Sequence, residues 1–566
     1  MRILFLTHAF NSLSQRLYVE LTALGHEISI EFDINDSVTT EAVDLFRPHL
    51  ILAPYLRRAI PEAIWREHVC LVVHPGIVGD RGPSALDWAI LKGEAEWGVT
   101  VLQAEAEMDA GPVWASEAFS LRAAKKSSLY RNEVTEAAVL AVKAAIGRLP
   151  DYLAGTWRPR TVPLKPMHAL MQQDDRAIDW ERDTTAMVLA KFNCADGFPG
   201  VRDNLFGQAC QVYDGRMFPA QGQPGELLGR AEEGVVRATA DGAVWIGHCK
   251  LDGGIKLPAG LVFPQAAELR ELDGPVQDIR YEESGPVGYL HFDFYNGAMG
   301  TAACERLLAA YEAAKQRPTK VIVLMGGTDF FSNGLDLNRI EAADSPPDES
   351  WRNINAMDDL CRAILTTDSH LTVSALRGNA GAGGAFLALA ADRVWARRGV
   401  ILNPHYKNMG NLYGSEYWSY LLPRRVGADK AGDITRNRLP LGADQAVTLG
   451  FLDEDFGDDP AAFEAEVRRR AEALAAATDF AEQLQARNRR RAEDEAVKPL
   501  DAYRAEELKH MQRNFYGFDP SYHVARHHFV RKTPHSWTPR HLAIHRELGW
   551  KVPEDYGTDL GAAVLR

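Results

Sequence analysis

The chain has 566 residues, 46% of them hydrophobic and 25% charged, and a formal net charge of −14. That length is too great for one core and predicts several domains of ordinary globular composition, and the acidic balance argues against general nucleic-acid binding. Six scattered cysteines with no C-x-x-C pair fit buried thiols in a cytoplasmic chain; the opening Met1–Leu6 is too short for a signal sequence, and no apolar run reaches membrane-spanning length.

In chain order, Ile3–Leu6 reads as a buried strand, and Leu13, Leu17, Leu21 and Leu24 fall at helical spacing before Gly25. Leu50–Ala53 and Val69–Val73 continue a strand–helix alternation that predicts a parallel, Rossmann-like sheet with its ligand beyond the strand ends. Beyond Val73 stand His74-Pro75-Gly76 and then Asp80-Arg81-Gly82, and later Met108-Asp109-Ala110-Gly111. The two segments resemble the formyltransferases that use 10-formyltetrahydrofolate, such as methionyl-tRNA formyltransferase. That resemblance implies formyl transfer through His74 and Asp109, with Arg81 and Gly82 at the folate. The chemistry explains the residue types, since acyl transfer needs a group to stabilise or protonate a tetrahedral intermediate and a carboxylate to orient it. The competing reading is a strand-end histidine satisfied by a neighbour plus a turn aspartate. The asparagine that the family carries two residues before the histidine is Val72 here.

Tyr152–Met167, rich in proline and basic residues, reads as a linker. Asp174–Trp180 and Ala195–Val201 look like the opening of the small domain that follows such formyltransferases, and short strands near Val235, Val244 and Ile246, broken by Asp241-Gly242 and Asp252-Gly253-Gly254, fit an OB-like β-barrel. A second boundary falls at Leu272–Ser284, after which Val287–Phe294 reads as an alternating strand and Asn296 as a loop residue.

Two strands then empty into glycine loops. Val321–Leu324 leads to Gly326-Gly327 and Asn333-Gly334-Leu335, and Leu371–Leu376 leads to Gly378, Gly381, Gly383 and Gly384 before helix formers from Ala385 to Ala391. Two such loops can offer two backbone N–H groups to one oxygen. Together they resemble the crotonase (enoyl-CoA hydratase) superfamily, which implies a coenzyme A thioester held by the amides of Leu335 and Gly383. The two positions where hydratases carry catalytic glutamates hold Phe386 and His405, so water addition is not expected. The groups that could replace them are Tyr406, immediately after Asn403-Pro404-His405, and Glu416, ten residues later.

Past Gly427 the sequence is helical and charged. Arg487–Arg491 is expected to be a solvated helix face, His523 and His527 are one helical turn apart without an acidic partner nearby in sequence, so no metal site is expected, and Arg531 is a candidate phosphate contact.

The reading is a multidomain α/β chain: a formyltransferase-like domain (1–165), an OB-like β-barrel (166–275), a crotonase-like domain (276–470) and a helical extension (471–566). This fusion resembles the HypX/HoxX accessory proteins of NiFe-hydrogenase maturation. The resemblance implies formyl transfer from 10-formyltetrahydrofolate to coenzyme A, then decarbonylation of formyl-CoA to carbon monoxide, with Tyr406 and Glu416 sharing the proton transfers. Gln15 in the first strand–helix loop, Arg131 at the start of the helix after Ser127-Ser128, Asn296 and Arg531 are the coenzyme A candidates, and hydrogenase maturation proteins are the expected partners. The alternatives are an enzyme that stops at formyl-CoA or hydrolyses it, and a folate- and coenzyme-A-responsive scaffold.

Overall fold

The structure, a computed structural model, describes residues 1–547. The first sheet contains β1 (Arg2–Thr7), β2 (Glu27–Phe32), β3 (Leu50–Ala53), β4 (Cys70–His74), β5 (Glu96–Gln103) and β6 (Val113–Ser120) in the order β2-β1-β3-β4-β5-β6. Strands β2, β1, β3 and β4 run parallel as expected. Contrary to that expectation, β5 and β6 pair antiparallel; the connection 104–112 between them has no room for a crossover helix. The helix Ser12–Ala23, capped by the Asn11 side chain on Ser14 N, buries Leu13, Leu17 and Leu21 against this sheet together with the long helix Thr135–Leu153.

The middle sheet is antiparallel. It comprises β7 (Val201–Leu205), β8 (Gln208–Phe218), β9 (Leu227–Ala231), β10 (Gly234–Ala238) and β11 (Ala243–Leu251) in the order β7-β8-β11-β10-β9, with the short β12 (Leu257–Pro258) added on β11.

In the second half, β13 (Ile279–Ser284), β14 (Val287–Phe292), β15 (Val321–Met325), β16 (Phe330–Ser332), β17 (Leu371–Leu376), β18 (Asn379–Gly381), β19 (Arg393–Arg397), β20 (Ile401–Asn403), β21 (Leu441–Gly442) and β22 (Glu454–Phe456) form two sheets. The larger runs β13-β14-β15-β17-β19-β22 and the smaller β16-β18-β20-β21. The alternating strand expected at Val287–Phe294 is instead buried along the whole of β14. Both of its faces are covered: Leu290 and Phe292 pack with the helices Thr301–Ala314 and Pro346–Leu365, while Val287 and Tyr289 pack with the helix Pro460–Ala476.

The charged C-terminal helices are docked rather than free. Arg487, expected on a solvated face, is buried, with Nε on Asp392 at 2.7 Å and Nη2 on the Leu365 carbonyl at 3.1 Å. The helix Leu500–Tyr516 packs on Pro346–Leu365. The chain then returns to the first sheet, where it meets the edge strand β2: Ile30 N donates to Leu542 O at 3.0 Å, Phe32 N to Thr538 Oγ1 at 2.8 Å, and the buried Glu31 takes Arg546 at 2.6 Å and His545 at 2.9 Å. Among the described residues no helix is long and apolar enough to cross a membrane, and all six cysteines are buried free thiols.

Candidate active sites

The first site stands at the end of β4. His74, 5% exposed, sits between two carboxylates: Nε2 is 2.9 Å from Asp80 Oδ2, and Nδ1 is 3.7 Å from Asp109 Oδ2. Asp80 in turn meets His168 Nε2 at 2.8 Å, and Asp109 accepts from Gly82 N at 3.0 Å. The turn has no spare volume, because a Cβ on Gly76 would lie 2.3 Å from His74 Nε2. Gly82, at φ +100°, faces the backbone of His168, and Arg81 pairs with Glu107 at 2.9 Å. The geometry thus joins His74, Asp109, Arg81 and Gly82 and adds Asp80 and His168. Asp80 lay inside the segment that marks the site; His168 stands just past the linker and carries no sequence signal.

The second site is built on the small sheet. β16 and β18 run parallel, which stacks the two glycine loops, so that a Cβ on Gly334 would lie 3.2 Å from Gly383 N. The buried helix that follows spans Gly383–Leu389, two residues earlier than the helix formers suggested. Over it lie Tyr406 and Glu416. The Tyr406 hydroxyl donates to Glu416 Oε2 at 2.5 Å and lies 3.0 Å from the Ser415 carbonyl, and its ring stacks on Phe386 at 5.3 Å. Phe386 therefore walls the position where a hydratase would hold a carboxylate. Glu416 is fully buried and its Oε1 has no hydrogen-bond partner; a Cβ on Gly383 would lie 2.3 Å from that oxygen. Burial, then the charges of Asp358 and Glu507, push the Glu416 carboxyl up to about 8, and burial beside Glu416 raises the Tyr406 phenol. A carboxylic acid with a bare oxygen facing a glycine turn can exchange a proton with a ligand bound there. His405 is buried with neither ring nitrogen partnered, and burial lowers it to about 4.

The coenzyme A candidates divide. Gln15 lies not in the loop after β1 but on the first turn of the helix Ser12–Ala23, where Asn11 caps the chain into helix directly. Its Oε1 accepts from Asn403 Nδ2 at 2.9 Å, which ties the first domain to the strand before Tyr406. Arg131, expected at a helix start, sits in a π-helical turn, Tyr130–Val134. It lies over the Phe330 ring at 4.5 Å and 3.5 Å from Asp329, which also accepts from Ser128 and Asn132. Asn296 lies in a 3-10 turn at φ 55°, and its carbonyl accepts from Asn333 at 2.8 Å. These three touch the loops of the second site. Arg531 does not; it donates to the Gly253 carbonyl of the middle domain at 2.6 Å. His523 has one ring nitrogen 2.9 Å from the Phe515 carbonyl and the other 2.8 Å from Arg526, and His527 meets Glu341 at 2.7 Å, so the pair is spent on docking the last helix.

A β4-end histidine held by two aspartates, and stacked glycine loops beneath a buried acid, define a formyltransferase joined to a crotonase-like domain. The formyl transferase family matches residues 28–146, the formyl transferase C-terminal domain residues 170–264 and the enoyl-CoA hydratase/isomerase family residues 293–538. The hydrogenase maturation factor HoxX of Bradyrhizobium diazoefficiens is 54% identical, over 96% of this chain and 97% of that protein. A variant of HypX from Aquifex aeolicus is 46% identical with a TM-score of 0.94, over 97% of this chain and 100% of that one. HypX from the same organism in complex with tetrahydrofolic acid is 46% identical with a TM-score of 0.93, over 98% and 100%. The chain belongs to the HypX/HoxX family of hydrogenase maturation factors.

Proposed function

We propose that the chain passes a formyl group from 10-formyltetrahydrofolate to the thiol of coenzyme A and then splits formyl-CoA into carbon monoxide and coenzyme A, for use in hydrogenase maturation. At the first site the thiol sulfur attacks the formyl carbon, the carbon–nitrogen bond breaks, and His74, oriented by Asp80 and Asp109, stabilises the oxyanion and serves the proton that the folate nitrogen gains. The relative that holds tetrahydrofolic acid supports a folate there, and Arg81 and Gly82 are placed to line it.

At the second site the amides of Leu335 and Gly383 take the thioester oxygen. The formyl carbon gives up its proton, the carbon–sulfur bond breaks and the sulfur gains a proton; Tyr406 and Glu416 carry these transfers. The observation that carries this reading is the unpartnered Glu416 Oε1 directed at Gly383, with Phe386 closing the hydratase position. Gln15, Arg131 and Asn296 line the contact between the halves along which coenzyme A moves, with Arg531 on its nucleotide. The chain divides for these tasks near residues 165, 275 and 470.

The test is to incubate the purified protein with coenzyme A and 10-formyltetrahydrofolate carrying carbon-13 in the formyl group, with reduced haemoglobin as a trap and infrared detection. Labelled carbonyl-haemoglobin is the expected product. Labelled formyl-CoA or formate without carbonyl would sink the second step and leave the first.

A further inference from the structure

Glu416 and Tyr417 both have left-handed backbones, φ 59° and φ 57°, one residue beyond Gly414 at φ 92°, with Ser415 between. Two successive residues with Cβ atoms in that region persist only where the surroundings over-determine them. Here the surroundings are two carboxyls from two other helices. Asp358, on Pro346–Leu365, accepts from Glu416 N at 2.8 Å and from the Ser415 hydroxyl at 2.9 Å. Glu507, on Leu500–Tyr516, accepts from Tyr417 N at 3.0 Å, from Ser419 N at 2.9 Å and from the Ser419 hydroxyl. Both acids are fully buried.

The hydrogen count of this network is short of donors. The Ser415 Oγ is 2.9 Å from Asp358 Oδ2 and 3.3 Å from Glu507 Oε2, and one hydroxyl proton cannot serve both. The nearest cation, Arg504, lies 3.6 Å from Asp358 Oδ2 and is shared with Asp359. The other titratable groups facing Glu416 are neutral or acidic: the Tyr406 phenol and the buried thiols of Cys304 and Cys361. A proton held among the carboxyls satisfies the count, and burial pushes Asp358 up to about 7 and Glu507 up to about 8.

We propose that Asp358 and Glu507 are the positioning residues of the second site: they clamp the left-handed turn that aims Glu416 Oε1 at Gly383, and they keep the Glu416 carboxyl in its acid form. The role rests on the decarbonylation reading above. In it, Glu416 delivers its proton to the sulfur as the carbon–sulfur bond breaks, and Tyr406 takes the proton of the formyl carbon as its own hydroxyl proton passes to the Glu416 carboxylate it contacts, so the enzyme ends as it began. The helical extension, through Glu507, is thereby part of the site and not an appendage.

The test is a pH titration by infrared difference spectroscopy on the full-length protein without substrate. The protonated-carboxyl band that disappears in Glu416→Gln is followed in wild type, Asp358→Asn and Glu507→Gln. The expected result is a midpoint lower by about one pH unit in each neutral variant, because a like charge behind Glu416 is gone. The alkaline limb of carbon monoxide formation should move with it, with kcat down about tenfold and KM little changed. An unmoved midpoint in a variant with native near-ultraviolet circular dichroism overturns the proposal, as does a lower rate with an unshifted pH profile, which is what a merely structural role gives. Should Asp358→Asn fail to fold, Glu507→Gln carries the same test. If wild type makes no carbon monoxide, the reaction reading fails, and the infrared midpoint alone decides the clamp.

Discussion

Both halves gather buried carboxyls around one proton-handling side chain, and they meet the cost of burial in opposite ways. Around His74 every acid has a partner able to carry positive charge or donate: Asp80 lies between two histidines, and Asp109 accepts a backbone amide. Around Glu416 three acids, Asp358, Glu416 and Glu507, share backbone amides and hydroxyls with one distant guanidinium. The first arrangement gives each carboxyl a hydrogen-bond donor. The second makes charge unfavourable, so it stores protons. The lesson is that the behaviour of a buried acid is set less by its residue type than by whether it is given a counter-charge.

The comparison can be broken at either end. The largest effect is expected from His74→Gln, which should slow formyl transfer about a thousandfold, read as loss of labelled formyl-CoA. Next is stability against pH. Asp358, Glu416 and Glu507 all lie above the ordinary carboxylate range because of burial. The folded chain thus binds protons that the unfolded chain releases; the benefit is complete below about pH 4 and is lost as pH rises through about 8. Unfolding free energy from urea titrations should fall from about pH 5 to about pH 8, by about 4 kcal/mol for each proton held across that interval, and Glu507→Gln should flatten the fall. Third, Glu416→Gln and Tyr406→Phe should each cut carbon monoxide release about a hundredfold while labelled formyl-CoA accumulates. The smallest effect is expected at Asp80→Asn, about tenfold in formyl transfer, because Asp109 still faces the ring; an effect as large as that of His74→Gln would mean that Asp80, not Asp109, is the main orienting carboxylate.

Much of this was legible in the chain because the relevant signals are local. Strand, glycine turn and helix formers placed both glycine loops, and His74 with its R-G and M-D segments marked the first site. The antiparallel end of the first sheet was not legible, since the length of a connection constrains pairing only once the neighbours are known. His168, Asp358 and Glu507 were missed for a different reason: each lies in or just past a stretch that reads as ordinary linker or amphipathic helix, and becomes part of a site only when another element is folded against it. Arg487 inverted its reading in the same way, since a basic run looks solvated until Asp392 and two bare carbonyls are brought to it.

The return of the chain to β2 sets an order of events during synthesis. Edge strand β2 leaves the ribosome well ahead of the residues that take up its amides and pair with Glu31, Thr538 to Arg546, with 506 positions between Phe32 and Thr538. Until then the nascent first domain carries an open sheet edge whose Glu31 lacks these partners. The first domain is therefore finished only after the crotonase-like half has been made.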